Sequence, residues 1–502
     1  MEKEIIIETK QGKIKGYERD GIKKFKGIPY AEPPVGELRF KPSIRKKPWS
    51  DVLDCTKFGP VVPQRDSFFT PKPRPLQDEE KCLTLNVWTP ELDDAKRPVL
   101  FWIHGGGLSF GSGSLTNGTN LAKLGDLVII SINYRLGIFG YIFLEDEIAN
   151  LGQLDQITAL QWVRENIMLF GGDPNNVTIF GQSAGALAVS TLMAMPSAKG
   201  LFNRVISQSG APHPGRYHPK FGIRGAERVM TALGIKGFDI EALKAVPTQK
   251  LVKIQTKMEL EARAQGKNFP YGIYIDGKTL PKHPLEALRD GFASDVELMV
   301  GTNQDEVNLY TALTPPREIL DEKGLFKRIH RMISLFNQNE STTQKIIETY
   351  KKTRNGEPQE ILEAISTDFR FRISGIRLAE AQCQHQPNVF SYLFTYKSPE
   401  MGGKLGACHA LEIAFVFGTV GENARGITPK RSKETDILSQ KMMNSWISFG
   451  QDGNPNHDGI PNWKPYDIEN RSTMFFGTEV KLVSDPFKTE RMVWEGILKY
   501  PP

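Results

Sequence analysis

The sequence predicts an α/β fold, in which a parallel or mixed sheet is flanked by helices. The first observation is a series of short apolar runs rich in β-branched residues, each typical of a buried strand. These runs are 99–103, 128–132, 177–180, 297–300 and 389–396. Most are continuously hydrophobic instead of alternating, which is the pattern of parallel strands covered on both faces.

The second observation is the helical pattern between these runs. Apolar residues recur at spacings of three and four from Ile157 to Ile167, and Asp155 is placed to cap the start of that helix. Strands that alternate with helices favour right-handed βαβ crossovers. The segment at about 317–382 is charged and helical in pattern, and we interpret it as a mainly helical insertion in a single domain spanning 1–502.

Composition and charge exclude several classes of protein. The chain of 502 residues is 39% hydrophobic and 24% charged, as in ordinary soluble proteins. Its net charge of +6 is spread over short basic clusters, so no nucleic-acid partner is predicted. No apolar run approaches the ~18 residues of a membrane span, and the first residues lack a signal-peptide core. Four scattered cysteines without CxxC spacing predict neither a zinc site nor a disulfide framework, and we expect a cytoplasmic protein.

The third observation is the pattern Gly181-x-Ser183-x-Gly185, which falls between a predicted strand and a predicted helix at 184–195. A serine at such a turn presents its hydroxyl, and the flanking glycines avoid steric clashes. The start of the helix favours developing negative charge. Ser183 is therefore the candidate nucleophile, with an idle serine in a tight turn as the alternative.

A glycine-rich stretch follows the apolar run 99–103. It reads His104-Gly105-Gly106-Gly107, and its backbone can turn N–H groups toward an oxyanion. Two such motifs in this order favour acyl-transfer chemistry over a pair of structural turns.

A serine hydroxyl needs a base to accept its proton. Among eight histidines, His409 follows the last predicted strand, and in folds of this type the base comes late in the chain. His104 is interpreted as ordering the glycine stretch, and His457 as part of a solvated loop. The base in turn needs a carboxylate that fixes its tautomer. Asp305 and Glu306 both follow the strand at 297–300, and position alone does not choose between them.

With these residues in place, the chain resembles the type-B carboxylesterase and cholinesterase family over nearly its whole length. The resemblance is carried by the HGGG stretch, the serine motif, the segment around His409, and the stretches FKGIPYA (25–31), CLTLNVW (82–88), NYRLG (133–137), GGDP (171–174) and QSG (208–210). It implies an α/β-hydrolase fold, with a large, mostly parallel mixed sheet and helical insertions over an active-site gorge.

The resemblance also implies roles for individual residues. The family's catalytic acid is the glutamate of an N-x-D-E segment, which here is Glu306. The oxyanion donors would be the N–H groups of Gly106, Gly107 and Ala184. Ser209 resembles a serine that lies near the triad in the family.

Three departures from the family pattern are informative. Gln182 stands where a glutamate often precedes the nucleophile, which removes a reason to expect cationic substrates. Val307 stands where a glycine usually follows the catalytic glutamate. Val62 stands where many secreted members have the disulfide partner of Cys82, so we expect free thiols.

The expected activity is that of a serine carboxylic-ester hydrolase, which acts on small to medium acyl esters through an acyl-enzyme. Neither a metal nor an organic cofactor is expected. The expected partners are small-molecule esters only, and the expected state is a monomer or a homodimer. A lipase, an amidase or a carbamate hydrolase with the same triad is the alternative. A non-catalytic cholinesterase-like binding protein is disfavoured, because every triad residue type is present.

Overall fold

The computed structural model describes residues 3–144, 147–265, 269–314, 319–422 and 426–498. Within these ranges, thirteen strands and sixteen α-helices are formed. The chain divides into two compact units. The first comprises Met1–Ile206 and Arg216–Ala287, and the second comprises Ser207–Gly215 and Leu288–Pro502.

The first unit begins with an antiparallel series of strands and continues into a parallel one. Its strands are β1 (Lys3–Thr9), β2 (Gly12–Arg19), β3 (Ile22–Pro29), β4 (Leu53–Asp54), β5 (Thr84–Thr89), β6 (Arg97–Ile103), β7 (Val128–Ile132) and β8 (Gly172–Gln182). They are ordered β1-β2-β3-β5-β7-β6-β8, with β4 beside β2. Pairing is antiparallel along β1-β2-β3-β5-β7 and parallel among β7, β6 and β8, and β4 pairs parallel with β2. Strand β9 (Arg204–Gln208) crosses the boundary between the units.

The helices of the first unit lie between these strands and after them in the chain. They are α1 (Thr119–Gly125), α2 (Gly137–Tyr141), α3 (Leu151–Asn166), α4 (Ala184–Leu192), α5 (Pro219–Leu233), α6 (Ile240–Lys244) and α7 (Thr248–Gln265), and α8 (Pro284–Arg289) spans the boundary. The prediction that Asp155 caps α3 is wrong. Asn150 precedes that helix, and Asp155 lies inside it, fully buried. Its carboxylate accepts hydrogen bonds from Arg135 Nε at 2.8 Å and Nη2 at 2.7 Å, a bidentate pair that compensates its burial.

The second unit contains a shorter series of strands and a larger number of helices. Strands β10 (Glu297–Asn303), β11 (Val389–Phe394) and β12 (Thr473–Phe476) run parallel, and β13 (Val480–Val483) pairs antiparallel with β12. Its helices are α9 (Asn308–Leu313), α10 (Glu322–Ile333), α11 (Glu340–Arg354), α12 (Pro358–Thr367), α13 (Ile373–Gln382), α14 (Glu412–Val416), α15 (Lys433–Asp452) and α16 (Lys488–Val493).

All five apolar runs that were predicted as strands are strands. They correspond to β6, β7, β8, β10 and β11, with ends that differ from the prediction by a few residues. The predicted helical segment contains α10 to α13 and a π-helical turn at Asp368–Arg372. Residues 317–318 of that segment lie outside the described residues, and its status as an insertion in a single domain stays a prediction.

Two further findings concern the helices and the cysteines. Within the described ranges, none of the helices combines the length and the apolar character that crossing a membrane requires.

All four cysteines lie in described segments and are free thiols. Cys55, Cys82 and Cys408 are buried, and burial raises the pKa of the Cys55 thiol to about 12. Cys383 is only partly buried.

We expect a thiol reagent to modify one cysteine rapidly in the native protein and four after denaturation without reductant. Cys383 supplies the rapid phase, since the other three thiols are shielded from solvent. The measurement is a timed thiol titration, with Cys383→Ser as the control that loses the rapid phase. Two equivalents in the denatured protein would instead reveal a disulfide.

Candidate active site

In the first unit, Ser183 forms the turn between β8 and α4. Its backbone angles are φ 57° and ψ −121°, a combination that costs a non-glycine residue about 1–3 kcal/mol and that clusters at functional sites. Ser183 is partly exposed, whereas every residue of α4 behind it is buried. The turn therefore presents the serine hydroxyl at the N-terminus of a helix, where the backbone favours negative charge.

The glycines on either side of Ser183 allow close backbone packing. A Cβ on Gly185 would lie 2.0 Å from the carbonyl oxygen of Ile103, the last residue of β6. A Cβ on Gly181 would lie 2.7 Å from that same oxygen. Neither position can hold a side chain, since real Cβ atoms do not approach within 3.0 Å. The two glycines thus let the serine turn pack directly on the end of β6.

The glycine stretch after β6 lies against this turn. A Cβ on Gly105 would lie 3.1 Å from both Ser183 Cβ and the side-chain oxygen of Gln182. Gly106 and Gly107 have φ angles of 112° and 64°, which glycine adopts without strain. The structure therefore brings Gly105, and with it the start of the predicted oxyanion loop, next to Ser183 and to the start of α4 at Ala184.

His104 is a structural part of this loop. Its Nδ1 lies 2.8 Å from the carbonyl oxygen of Gly105, and its ring stacks on Tyr134 at 4.5 Å. The Tyr134 hydroxyl donates to the carbonyl of His104 at 2.7 Å. Burial lowers the pKa of His104 to about 4, so the ring is neutral at physiological pH. These contacts agree with the interpretation that His104 orders the glycine stretch.

In the second unit, Glu306 and His409 form a buried pair. Glu306 is 0% and His409 4% exposed, and His409 Nδ1 lies 2.6 Å from Glu306 Oε2. The other carboxylate oxygen accepts the backbone N–H of Asn303 at 2.8 Å. With Nδ1 protonated toward Glu306, the neutral imidazole carries its lone pair on Nε2, where a base needs it.

Asp305, the other candidate acid, binds backbone instead of the imidazole. Its Oδ2 accepts the N–H of Ala407 at 2.9 Å, and its own N–H donates to the carbonyl of Ala407 at 3.0 Å. Asp305 therefore fixes the segment that leads into His409, while Glu306 contacts the ring. Asp305 and Glu306 are adjacent in one turn, but their side chains point in different directions. Sequence position alone therefore could not show which of the two contacts the imidazole.

A second buried carboxylate, Glu412, was missed by the sequence analysis. Asn303 Nδ2 donates to Glu412 Oε2 at 2.7 Å, and Gln208 Nε2 donates to Oε1 at 3.3 Å. Trp446 Nε1 in turn donates to Gln208 Oε1 at 3.0 Å. Burial, and then repulsion from Glu306, raises the pKa of Glu412 to about 7, against the lowering effect of the Asn303 hydrogen bond. Asn303 thus links the two carboxylates.

Aromatic rings flank His409. Phe371 lies 4.9 Å from it between ring centroids, and Tyr310 lies 5.7 Å away. Phe371 belongs to the π-helical turn Asp368–Arg372, a rare local geometry that often marks functional sites. The imidazole is therefore bordered by apolar surface within the second unit.

Ser209 lies in the second unit beside β10. Its φ is 55°, and its N–H donates to the carbonyl of Gly301 at 2.8 Å. Its hydroxyl is fully buried and has no hydrogen-bond partner among the described residues. The backbone of Ser209 thus meets the strand that leads to Glu306, and its role near the triad stays a prediction.

Among the residues whose positions are described, no group of three or more histidine, cysteine, aspartate or glutamate side chains is arranged to hold a metal ion.

The chain matches known proteins along almost its whole length. Residues 3–494 match the profile described as "Carboxylesterase family". Para-nitrobenzyl esterase of Bacillus subtilis (strain 168) is 35% identical over 496 residues, which cover 97% of each chain. Phenmedipham hydrolase of Pseudarthrobacter oxydans is 34% identical over 506 residues, which cover 94% of this chain and 95% of that protein.

Solved structures give the same result. A carboxylesterase of Geobacillus stearothermophilus superposes with a TM-score of 0.87 at 37% identity, covering 97% of this chain and 99% of that one. A thermophilic para-nitrobenzyl esterase also superposes with a TM-score of 0.87, at 35% identity. The predicted α/β-hydrolase fold with a large mixed sheet is therefore confirmed.

Glu412→Gln should change how stability depends on pH. The pKa of Glu412 rises from its ordinary value of 4.5 to about 7 in the folded protein, so the folded state holds this proton more tightly than the unfolded state. Stability in the wild type is therefore lost as pH rises between these values. From pH 5 to pH 8, we expect the variant to gain about 2–3 kcal/mol relative to the wild type.

Chemical denaturation at pH 5 and pH 8 measures this difference. Glu434→Gln, on the exposed face of α15, is the control, and its free energy of unfolding should follow the wild type at both pH values. A Glu412→Gln variant that also follows the wild type would show that Glu412 does not titrate in this interval.

Proposed function

The chain belongs to the carboxylesterase family and is a carboxylic ester hydrolase, and we propose that it cleaves small to medium acyl esters with a Ser183–His409–Glu306 triad. The observation that carries this assignment is the 2.6 Å contact between His409 Nδ1 and Glu306, because it leaves Nε2 as the basic nitrogen. The strained, glycine-flanked turn at Ser183 supports the choice of nucleophile.

The proposed reaction begins when Ser183 Oγ attacks the ester carbonyl and its proton passes to His409 Nε2. Glu306 stabilises the imidazolium that forms, since its carboxylate is buried against Nδ1. The tetrahedral intermediate collapses, and the alcohol leaves with the proton from His409. A water molecule then attacks the acyl-enzyme with the same base, which releases the carboxylic acid and restores Ser183.

We assign the oxyanion donors to the N–H groups of Gly106, Gly107 and Ala184. The glycine stretch packs on the serine turn, and Ala184 opens α4, so all three backbone groups belong to the same part of the first unit. Removing one such donor in other hydrolases typically costs about 10²–10³ in kcat.

The substrate class follows from the groups near the proposed base and nucleophile. Phe371 and Tyr310 border His409 with apolar surface, which favours uncharged acyl or aromatic groups. Gln182 supplies no negative charge next to Ser183 for a cationic substrate. The relative named para-nitrobenzyl esterase supports small aromatic esters as substrates.

The proposal includes no cofactor and no macromolecular partner, and it takes the protein to be a monomer or a homodimer. A cytoplasmic location is supported by the four free thiols, because unpaired cysteines are typical of reducing compartments.

We expect kcat/KM for p-nitrophenyl esters to be highest from acetate to hexanoate and to fall for decanoate and longer chains.

Ser183→Ala should lower kcat by at least about 10³-fold without loss of folding, because alanine keeps the size of the turn residue. Initial rates across the ester series, together with a thermal melt of the variant, test both statements. A folded Ser183→Ala protein with most of its activity would refute the nucleophile assignment. Maximal rates on long-chain esters, or on anilides, would instead favour the lipase or amidase alternative.

Glu306→Gln should lower kcat far more than Asp305→Asn, although both changes replace a carboxylate by an amide of the same size. Loss of the orienting carboxylate costs about 10⁴-fold in a comparable triad, whereas Asp305 acts only through the Ala407 backbone. We expect Asp305→Asn to lower kcat by less than about tenfold, on the scale of one lost hydrogen bond. Steady-state rates of the matched pair decide between the two acids, and the reverse ranking would contradict the triad.

A further inference from the structure

Glu259 on α7 is a fully buried carboxylate outside the proposed triad. It accepts hydrogen bonds from four side chains, which come from four places along the first unit. Arg65 Nε donates to Oε2, while Ser109 Oγ at 2.6 Å, Gln255 Nε2 at 2.9 Å and the Tyr271 hydroxyl donate to Oε1. A buried carboxylate requires such compensation, and here it brings together segments that are distant in sequence.

Ser109 lies two residues after Gly107, the last residue of the glycine stretch that carries two of the proposed oxyanion donors. Its N–H donates to the carbonyl of Gly106 at 3.0 Å, and the N–H of Phe110 donates to the same oxygen at 3.2 Å. In a trans peptide, the C=O and the following N–H point in opposite directions. Because the Gly106 carbonyl is turned toward Ser109 and Phe110, the N–H of Gly107 must point away from them. The position of Ser109 therefore sets the direction of a proposed oxyanion donor.

Ser109 is fixed from α7. Its hydroxyl contacts Glu259 at a distance typical of an O–H group that donates to an ionised carboxylate. One turn earlier on α7, Gln255 Oε1 accepts the N–H of Ile138 at 3.0 Å, and the N–H of Gly137 donates to the carbonyl of Leu108 at 2.6 Å. Two side chains of one helix thus hold both the end of the glycine stretch and the first turn of α2.

We propose that Glu259 is a positioning residue for the oxyanion loop, acting through the hydroxyl of Ser109 on the peptide between Gly106 and Gly107. This inference rests on the proposed function, because it assumes that Gly107 N–H binds the oxyanion. Glu259 does not touch the substrate. Its effect is to hold the donor in the direction where the negative charge develops, so that the loop does not have to reorganise during the reaction.

A purely structural role for Glu259 would be to neutralise Arg65 in the protein interior. That role involves Oε2, whereas the Ser109 hydroxyl binds Oε1. Tyr271 provides a matched comparison, because its hydroxyl binds the same Oε1 but lies outside the glycine stretch. Removing either hydroxyl takes one donor from the same buried oxygen, and although the Tyr271 hydroxyl also neighbours that of Ser109, only Ser109→Ala removes the direct bond from Glu259 to the loop.

The experiment compares Ser109→Ala with Tyr271→Phe. We expect Ser109→Ala to lower kcat for p-nitrophenyl butyrate by about 10-fold, with KM changed less than twofold, since the oxyanion forms only in the transition state. Inhibition by a trifluoromethyl ketone, whose serine adduct carries an oxyanion, should weaken by the same factor. The loss of kcat and the loss of inhibition should each be at least fivefold smaller for Tyr271→Phe than for Ser109→Ala. Thermal melts should show similar stability for the two variants.

The proposal is overturned if Ser109→Ala keeps kcat within twofold of the wild type, or if the two variants lose kcat equally. If Ser109→Ala does not fold, Ser109→Cys replaces it, because a thiol fits the same space and donates weakly; the same ranking against Tyr271→Phe is then required. Ser183→Ala is measured in parallel. An inactive Ser183→Ala protein beside a normal Ser109→Ala protein refutes only the positioning role, whereas an active Ser183→Ala protein refutes the proposed function itself.

Discussion

The part of the candidate active site that lies in the first unit depends on one backbone contact, the packing of the serine turn on the end of β6. The carbonyl oxygen of Ile103 occupies the space where Gly185 would carry a side chain. Because no side chain separates the two segments, the glycine stretch that continues from β6 lies directly beside Ser183. The position of the proposed nucleophile relative to the proposed oxyanion loop is thus set by main-chain atoms, which vary less in position than flexible side chains.

The second unit is constrained by two carboxyl groups that are buried away from solvent. Glu306 and Glu412 are both fully buried, and Asn303 donates to each of them, through its backbone N–H and its side-chain amide respectively. Burial and mutual repulsion leave Glu412 with a pKa of about 7, so the charge beside Glu306 changes near neutral pH. A single asparagine thus donates hydrogen bonds to both buried carboxylates, and its bond to Glu412 opposes the rise in that carboxyl's pKa.

Sequence patterns identified the parts of the candidate site whose residues lie close together in the chain. Ser183 and the glycine stretch could be found because a strand, a turn and a helix follow one another within a few residues. The contact between Gln208 and Trp446 could not be predicted, since the two residues are 238 positions apart. Asp155 was misplaced as a helix cap because its inward direction depends on Arg135, which precedes the helix.

The strand predictions also succeeded where the signal lies in neighbouring residues of the sequence. Five buried parallel strands with apolar runs, β6, β7, β8, β10 and β11, were predicted, whereas the short strands β9 and β12 and the strands β1 to β3, which carry many lysines and glutamates, were not. The charged residues interrupt the apolar pattern in β1 to β3, which are paired antiparallel and contribute buried side chains such as Ile14 and Phe25 to the core.

The hydrogen bond between Ser109 and Glu259 spans 150 positions of the chain. A ribosome-bound fragment that ends before α7 has the serine turn and the glycine stretch but not the carboxylate that anchors Ser109. Because Glu259 lies on α7, the hydrogen bond that anchors Ser109 forms only once α7 has docked. Esterase activity from the proposed triad should therefore require both the docking of α7 and the later synthesis of Glu306 and His409, so a fragment that contains the serine turn and the glycine stretch alone is expected to be inactive.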